Sequence, residues 1–346
     1  MPENNNYDII NGNNFAKFSN IIFSEELITV EFEKKYKNNS DIQIIKEVSN
    51  DRATFIFYIL KNFSVKENDV IFCNTNVVEI LFQSLKSIKN LKNLKLITHQ
   101  SDRPVDKYLF NKKPSSISRW YSVNVDHDDE NLISIPLGVN DYKFSNYMNE
   151  DIISKFFSEI PNTQNKIDKL YMNFNPNTNR KEREKIYNDL YEKDWCVADE
   201  PNRTAEEYYS NIKNYKYVLA PWGNGIDTFR LWESLYLGSI PVTKYHRTYK
   251  SFSDFPIMFV ESYADINLDQ IPHSQKLPTD KLNIHYWMNL INQNKIESSE
   301  EELILGKNYG LKKYLIFFNL NSLFSSKLKK IRYFFNRAVK RVKISK

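Results

Sequence analysis

The stretch Tyr217–Val242, Tyr-Val-Leu-Ala-Pro-Trp-Gly-Asn-Gly-Ile-Asp-Thr-Phe-Arg-Leu-Trp-Glu-Ser-Leu-Tyr-Leu-Gly-Ser-Ile-Pro-Val, constrains the fold more than any other. An apolar run ends at Ala220 and a glycine-containing loop follows. Residues Thr228 to Leu237 then have helical spacing, and a second apolar run begins beyond Gly238. Strand, loop, helix, turn and strand in that order form a crossover unit, which joins neighbouring parallel strands. The chain holds only 7 glycines in 346 residues, so Gly223 and Gly225 in one loop stand out from the background. Asn is abundant throughout, and its clusters carry little weight as turn signals at this stage.

The same rhythm recurs elsewhere. Short apolar runs at 69–75, 94–98, 119–125 and 131–140 read as buried parallel strands, with a helically spaced segment from Val77 to Ser87. A weakly patterned region, 140–166, marks a junction. A second series follows: a strand at 169–175, a charged amphipathic helix at 179–191, and a helix opening at Thr204, with Glu207 at capping-box spacing. Strands at 215–220 and 240–243 and a short apolar segment at 255–260 complete it. Residues 53–60 are compatible with a strand or a helix. Alternation of this kind predicts an α/β chain with parallel, doubly wound sheets in two halves, 1–150 and 151–305.

Composition bounds the partners. Hydrophobic residues are 41% and charged residues 26%, the balance of a globular protein. No run reaches the ~18 apolar residues that a membrane span needs, and Met1–Ile10 lacks the charged and apolar regions of a leader. Cys73 and Cys196 are far apart and in no ligand spacing, which argues against a disulfide framework or structural zinc. A reducing, cytoplasmic setting is the expectation. The net charge of +5 is unevenly placed: after Glu302 there is no acid, and twelve Lys or Arg lie between Lys307 and Lys346. Within that tail Leu328, Ile331, Phe335, Ala338 and Val342 share one helical face. A basic amphipathic helix on an anionic membrane surface through residues 312–346 is the reading, with a helix docked on the body as the alternative. Nucleic acid is not expected as a partner, because the basic charge lies in one helix with no binding motif around it.

Chemistry concentrates after Ala220. The loop would lie at the carboxyl end of a strand, where open α/β sheets bind ligands. Free N–H groups at a helix start near Asp227 and Thr228 favour an anionic diphosphate. Arg230, in the first turn, adds a planar fork for phosphate oxygens. Glu233, three residues on, shares its face and offers acceptors to a ribose diol. Gly223 and Gly225 complete the set of candidate donor-site residues. An ordinary surface ion pair between Arg230 and Glu233 is the plain alternative.

This stretch resembles the donor-binding half of GT-B glycosyltransferases, most closely the exostosin-like type and more loosely the fucosyltransferase-like one. The resemblance covers about 215–263, with a weaker extension through Asn173-Phe-Asn175 and Thr178-Asn-Arg-Lys-Glu-Arg183. It implies two Rossmann-like domains whose sheets face each other across a cleft. The activity implied is transfer of a sugar from a nucleotide-sugar donor to a glycan hydroxyl, with inversion, metal independence and no cofactor as the expectation. By resemblance Arg230 holds the diphosphate and Glu233 the ribose, with Arg180 or Lys181 as a second phosphate contact. A lipid-linked glycan acceptor at the inner face of a membrane would suit the basic tail. The general base would come from the N-terminal half: Asp102 and His99 first, then Asp126 and His127. Asp126-His-Asp128 also has the Asp-x-Asp form of a metal-dependent GT-A transferase, with oxygen ligands suited to Mg²⁺ or Mn²⁺. A non-catalytic nucleotide-sugar or glycan-binding protein is a third reading.

Overall fold

The computed structural model describes residues 9–24, 26–28, 38–49, 54–88, 90–140, 150–158, 161–201, 203–268, 277–297 and 303–305. Contacts divide the chain into Met1–Leu305 and Gly306–Lys346, and the basic tail of the second unit lies outside the described residues.

The chain enters through helix α1 (Gly12–Lys17), capped by the Asn11 side chain, which accepts the Asn14 N–H. It passes into the two-residue strand β1 (Ile21–Ile22). An antiparallel excursion follows, made of β2 (Glu26–Ile28), β3 (Ile42–Ser49) and β4 (Thr54–Leu60) in the order β2-β4-β3. The ambiguous segment at 53–60 is therefore a strand. After β5 (Phe63–Val65) comes β6 (Val70–Asn74), all five residues of which are buried. Helix α2 (Val78–Lys86) leads to β7 (Leu94–His99), then β8 (Val105–Asp106), α3 (Lys107–Phe110) and β9 (Ile117–Ser122). Strands β10 (Val125–Asp126) and β11 (Leu132–Ser134) end this half.

Five of these strands form a parallel sheet in the order β1-β6-β7-β9-β11. Spatial order follows chain order, with no reversal. The doubly wound pattern expected for both halves is thus absent from the first sheet, because its early excursion is an antiparallel sheet rather than a second wing of crossovers. The expected strands at 119–125 and 131–140 also end early, at Ser122 and Ser134.

The second half opens with α4 (Glu150–Phe157) and β12 (Ile167–Met172). It continues through α5 (Arg180–Leu190), β13 (Cys196–Ala198), α6 (Ala205–Asn214) and β14 (Tyr215–Leu219). The Thr204–Glu207 capping box at the start of α6 is formed. Helix α7 (Phe229–Tyr236), β15 (Ile240–Lys244) and β16 (Met258–Val260) follow. The parallel order is β13-β12-β14-β15-β16, and it reverses between β12 and β14. At such a reversal the loops leaving the two strands diverge and open a crevice for a ligand.

The chain then returns. Helix α8 (Ile284–Ile291) packs on α1, and β17 (Leu303–Leu305) pairs antiparallel with β5. A division at 150 and 305 therefore misplaces the last segment, which completes the N-terminal half. Nor do the two sheets stand apart as separate bodies. One apolar cluster runs from Phe72, Ile97 and Tyr121 in the first half through Tyr171, Val218 and Trp232 in the second. Trp232 is fully buried, with its ring edge-on to Phe252 and Phe255 at 4.9 and 5.6 Å. Emptying such a site costs about 3–5 kcal/mol. No described helix is long and apolar enough to cross a membrane.

Among the described non-glycine residues with positive φ are Asn68, Asn93, Asn124, Asn165 and Asn294, with Gln100 alongside them. Asn tolerates this conformation better than other side chains. In a chain so poor in glycine, Asn takes over at the tight turns, and its abundance had more meaning than the sequence reading allowed.

Candidate functional site

The loop from Pro221 to Thr228 leaves the carboxyl end of β14, on one side of the reversal. It is closed on itself by the Gly223 N–H, which donates to the Gly225 carbonyl at 3.0 Å. Thr228 precedes α7 with extended backbone (φ −132°, ψ 143°) and makes no side-chain capping bond. Its Oγ1 is buried without a partner, as is the Nε of Arg230 two residues on, in the first turn. Buried polar atoms are rarely left unpaired. Two of them at one helix start, beside the free N–H groups of that turn, make a place for an acceptor-rich group. The Arg230 guanidinium lies 5.7 Å from the Tyr208 ring centroid.

Across the reversal, helix α5, which follows β12, supplies a residue not among the expected ones. Arg183 is 5% exposed and pins both loops. Its Nε donates to the Trp222 carbonyl, its Nη2 to the Pro221 carbonyl, and its Nη1 to the Asn175 carbonyl and Thr178 Oγ1, at 2.6–2.9 Å. A Cβ on Gly223 would come within 3.2 Å of this guanidinium. Burial, and then the nearby Arg230, bring the Arg183 pKa down to about 10. All four of these acceptors are neutral, and the Glu182 carboxylate, which pulls the Arg183 pKa the other way, is itself paired with Lys244. Helical spacing with Ile186 and Leu190, the other buried residues of α5, was the available signal. Arg180 instead pairs with Glu184 at the surface, and Lys181 is exposed. Lys244, at the end of β15, adds a cation paired with Glu182 and lies 6.0 Å from the Trp222 ring centroid.

Glu233 and Asp227 have positions unlike those expected. Glu233 is 4% exposed and accepts the hydroxyls of Tyr209 and Tyr208 at 3.0 and 3.2 Å. Burial raises its pKa against the opposing pull of Arg230 and these hydroxyls. It is buried beneath the site rather than open to a diol, because two tyrosines of α6 take its oxygens. It is not a surface ion-pair partner either. Asp227 is likewise buried: Oδ2 accepts the Leu137 N–H at 2.9 Å, Oδ1 the Thr228 N–H, and both oxygens face Trp232 Nε1. Burial lifts its pKa to about 7. Asp227 ties the loop to the first half and leaves phosphate contact to its neighbours.

The opposite wall comes from the carboxyl end of the first sheet. Asn124, after β9, accepts the N–H groups of Ile226 and Asp227, while its Nδ2 donates to the Ser101 carbonyl. A Cβ on Gly225 would lie 3.0 Å from Asn124 Nδ2 and 3.1 Å from Asp102 Oδ1. The glycine therefore permits the two sheet ends to meet, and it brings Asp102 against the loop. The Asp102 pKa is raised by desolvation, opposed by a hydrogen bond from Asn224. His99 is differently placed. Its Nδ1 accepts the Gln100 N–H at 2.8 Å, its Nε2 lies 3.3 Å from the Pro136 carbonyl, and its ring is 1% exposed. Burial brings its pKa down to about 4. With both nitrogens engaged, it supports the wall and does not reach the site.

Asp126 and Asp128 face the Arg247 guanidinium and the His246 imidazole, whose pKa burial lowers. Arg247 Nη1 is 2.8 Å from Asp128, its Nε is 3.7 Å from Asp126, and His246 Nε2 is 3.3 Å from Asp126. His127 packs against Phe110 with ring centroids 5.4 Å apart. Among the described residues no group of three or more His, Cys, Asp or Glu gathers as metal ligands would.

The arrangement sets an electropositive helix start and Arg183 against a carboxylate with a raised pKa. Such a pairing can hold an anionic leaving group while a base accepts a proton. The chain matches no known protein-family model and no curated protein.

Proposed function

We propose that this protein is a metal-independent glycosyltransferase of the GT-B kind, which moves a sugar from a nucleotide-sugar donor to a glycan hydroxyl with inversion. The observation that carries the reading is the pair of unpartnered buried atoms, Thr228 Oγ1 and Arg230 Nε, at the start of α7 beside Arg183. They lie at the reversal of the second sheet, where a diphosphate would find N–H groups, a hydroxyl and two guanidinium groups together.

In the proposed reaction the acceptor hydroxyl gives its proton to Asp102 as its oxygen attacks the anomeric carbon. The bond from that carbon to the diphosphate oxygen breaks, and its electron pair leaves with the nucleoside diphosphate. The helix start and Arg230 stabilise the developing charge on that oxygen, a contribution that grows in the transition state. A carboxylate with a raised pKa accepts a proton more readily than one at its ordinary value. Arg183 positions the loop and adds positive potential. The acceptor class we infer is a lipid-linked glycan, reached from a membrane surface to which residues 312–346 bind.

The test is a thermal-shift screen of the purified protein with UDP, GDP, CDP and their common sugars, in EDTA. A ligand at 100 times its Kd stabilises by about 2.7 kcal/mol, which a melting curve resolves. The reading predicts a shift with one nucleoside diphosphate, lost in Arg230→Ala. A shift that needs divalent metal and survives Arg230→Ala would overturn it.

A further inference from the structure

A cavity of about 450 Å³ opens between α5 and the loop after β13, beside the carboxyl ends of β12 and β13. It is within the ~300–1,000 Å³ of small-molecule pockets. Its floor is apolar, from Met172 and Phe174, both at most 5% exposed. Its rim carries Tyr187, Asn188, Asp199 and Glu200. Arg183, one turn before Tyr187 on α5, lies 5.3 Å from the ring centroid of the floor residue Phe174, so this cavity adjoins the loop at Gly223 while being lined by none of residues 221–230.

Three features select the ligand. Tyr187 stacks on Tyr191 with ring centroids 5.5 Å apart and planes 4° from parallel, and both rings are more than 40% exposed. The stacking fixes an aromatic platform at the mouth of the cavity. Such a platform suits the C–H face of a pyranose ring, while the Asn188 amide and Glu200 carboxylate suit its hydroxyls. The carboxylates oppose a phosphate. The charges of Glu184 and Asp199 are already matched by Arg180 and Arg203, so the rim is not an open cluster that would draw a metal ion.

We infer that this cavity is a second saccharide site, which takes an uncharged sugar residue of a glycan against Tyr187. It stands independently of the nucleotide reading, because it shares no lining residue with the loop at 221–230. Joined with that reading, it would hold a glycan chain on the enzyme between transfers, as a tethered second contact raises the local concentration of the first.

The test uses the full-length chain and saturation-transfer NMR with the methyl glycosides of glucose, galactose and N-acetylglucosamine, and with uridine as the nucleoside probe. The expected result is transfer to the ring protons of at least one glycoside. That transfer falls to background in Tyr187→Ala and in Glu200→Ala, at unchanged melting temperature and with the nucleoside diphosphate shift intact. No transfer to any glycoside, or transfer unaffected by both substitutions, overturns the inference. So does displacement of the glycoside by uridine, which would make the cavity a nucleoside pocket. A lost nucleotide shift in Arg230→Ala bears on the donor site alone.

Discussion

The side-chain oxygen of Asn124 accepts the backbone N–H of Asp227 at 2.8 Å, and with it the N–H of Ile226 at 2.9 Å. One residue at the end of the first sheet thus holds the loop that leaves the second. Asn124 is 1% exposed and has φ +53°, so it combines a conformation that Asn tolerates with an acceptor that two N–H groups need. Asn124→Ala removes the acceptor and strains the backbone. We expect a loss of about 2–4 kcal/mol, read as a lower urea midpoint at unchanged slope. Asn124→Gly relieves the strain and recovers only part of that loss.

Asp227 and His99 give opposite pH dependences. The Asp227 pKa rises on folding to about 7, so its contribution to stability is complete below the ordinary carboxylate range and is lost as pH climbs towards 7. The His99 pKa falls to about 4, so its contribution is complete above the ordinary imidazole value near 6.5 and is lost as pH falls towards 4. Between about pH 4 and 6.5 the two slopes oppose each other. Relative to the wild type, Asp227→Asn should become more stable with rising pH across that window, by up to about 3 kcal/mol. His99→Gln should show the reverse slope. Denaturant titrations at pH 4.5, 5.5 and 6.5 measure both, and parallel curves for all three proteins would refute the assignment.

Arg183 and Arg230 should separate stability from binding. Arg183 donates to three carbonyls and a hydroxyl, and of these only the Trp222 and Asn175 carbonyls have a second donor among the described residues, from Asn179 Nδ2 and Thr178 Oγ1 at 3.4 and 3.2 Å. Arg183→Met should therefore cost about 3–5 kcal/mol and lower the melting temperature in the absence of any ligand. Arg230, with its Nε unpartnered, has less to lose. Arg230→Ala should stay within about 1 kcal/mol of the wild type yet abolish the nucleoside diphosphate shift. Equal melting temperatures for the two variants would remove the distinction.

Sequence pattern made the second sheet legible because its strands are short apolar runs broken by helically spaced segments. The observed bounds of β12, β14, α7 and β15 lie within three residues of the expected ones. The excursion β2-β4-β3 was not legible, because antiparallel pairing joins segments whose individual patterns are ambiguous. The return of β17 to β5 was invisible for another reason: 238 residues separate the paired Leu303 and Val65, and no local periodicity encodes that contact. At the site, the sequence placed Arg230 in the first turn of a helix and Asp102 in the loop after β7, where they are found. It misassigned Glu233 and His99 because their types suit ligand contact as well as burial. Only the hydroxyls of Tyr208 and Tyr209, and the Pro136 carbonyl, decide between those uses.

The basic tail makes a separable prediction from sequence alone. Each cation near an anionic membrane surface contributes about 1 kcal/mol. Co-sedimentation with vesicles containing phosphatidylglycerol should capture the full-length chain, less at high salt. Truncation after Leu311 should release it while preserving the nucleoside diphosphate shift. Retained vesicle binding by the truncated chain would move the membrane contact to another surface.

Asp128 distinguishes an ion pair from a metal ligand. It meets Arg247 at 2.8 Å, with 59% of the Asp128 side chain and 43% of that of Arg247 exposed. Solvent weakens a pair this open, and its removal is expected to cost less than about 1 kcal/mol. Asp128→Ala should therefore melt close to the wild type, and more so as salt increases. It should keep the nucleoside diphosphate shift in EDTA, since the proposed anion contacts lie at α7 and Arg183. A metal held by Asp126 and Asp128 predicts a different pattern. The shift would then vanish both in EDTA and in Asp128→Ala, and added Mn²⁺ would restore it in the wild type alone. Measuring the two proteins with and without EDTA separates the cases, because Arg247 cannot replace a divalent ion at a diphosphate and remain paired to Asp128.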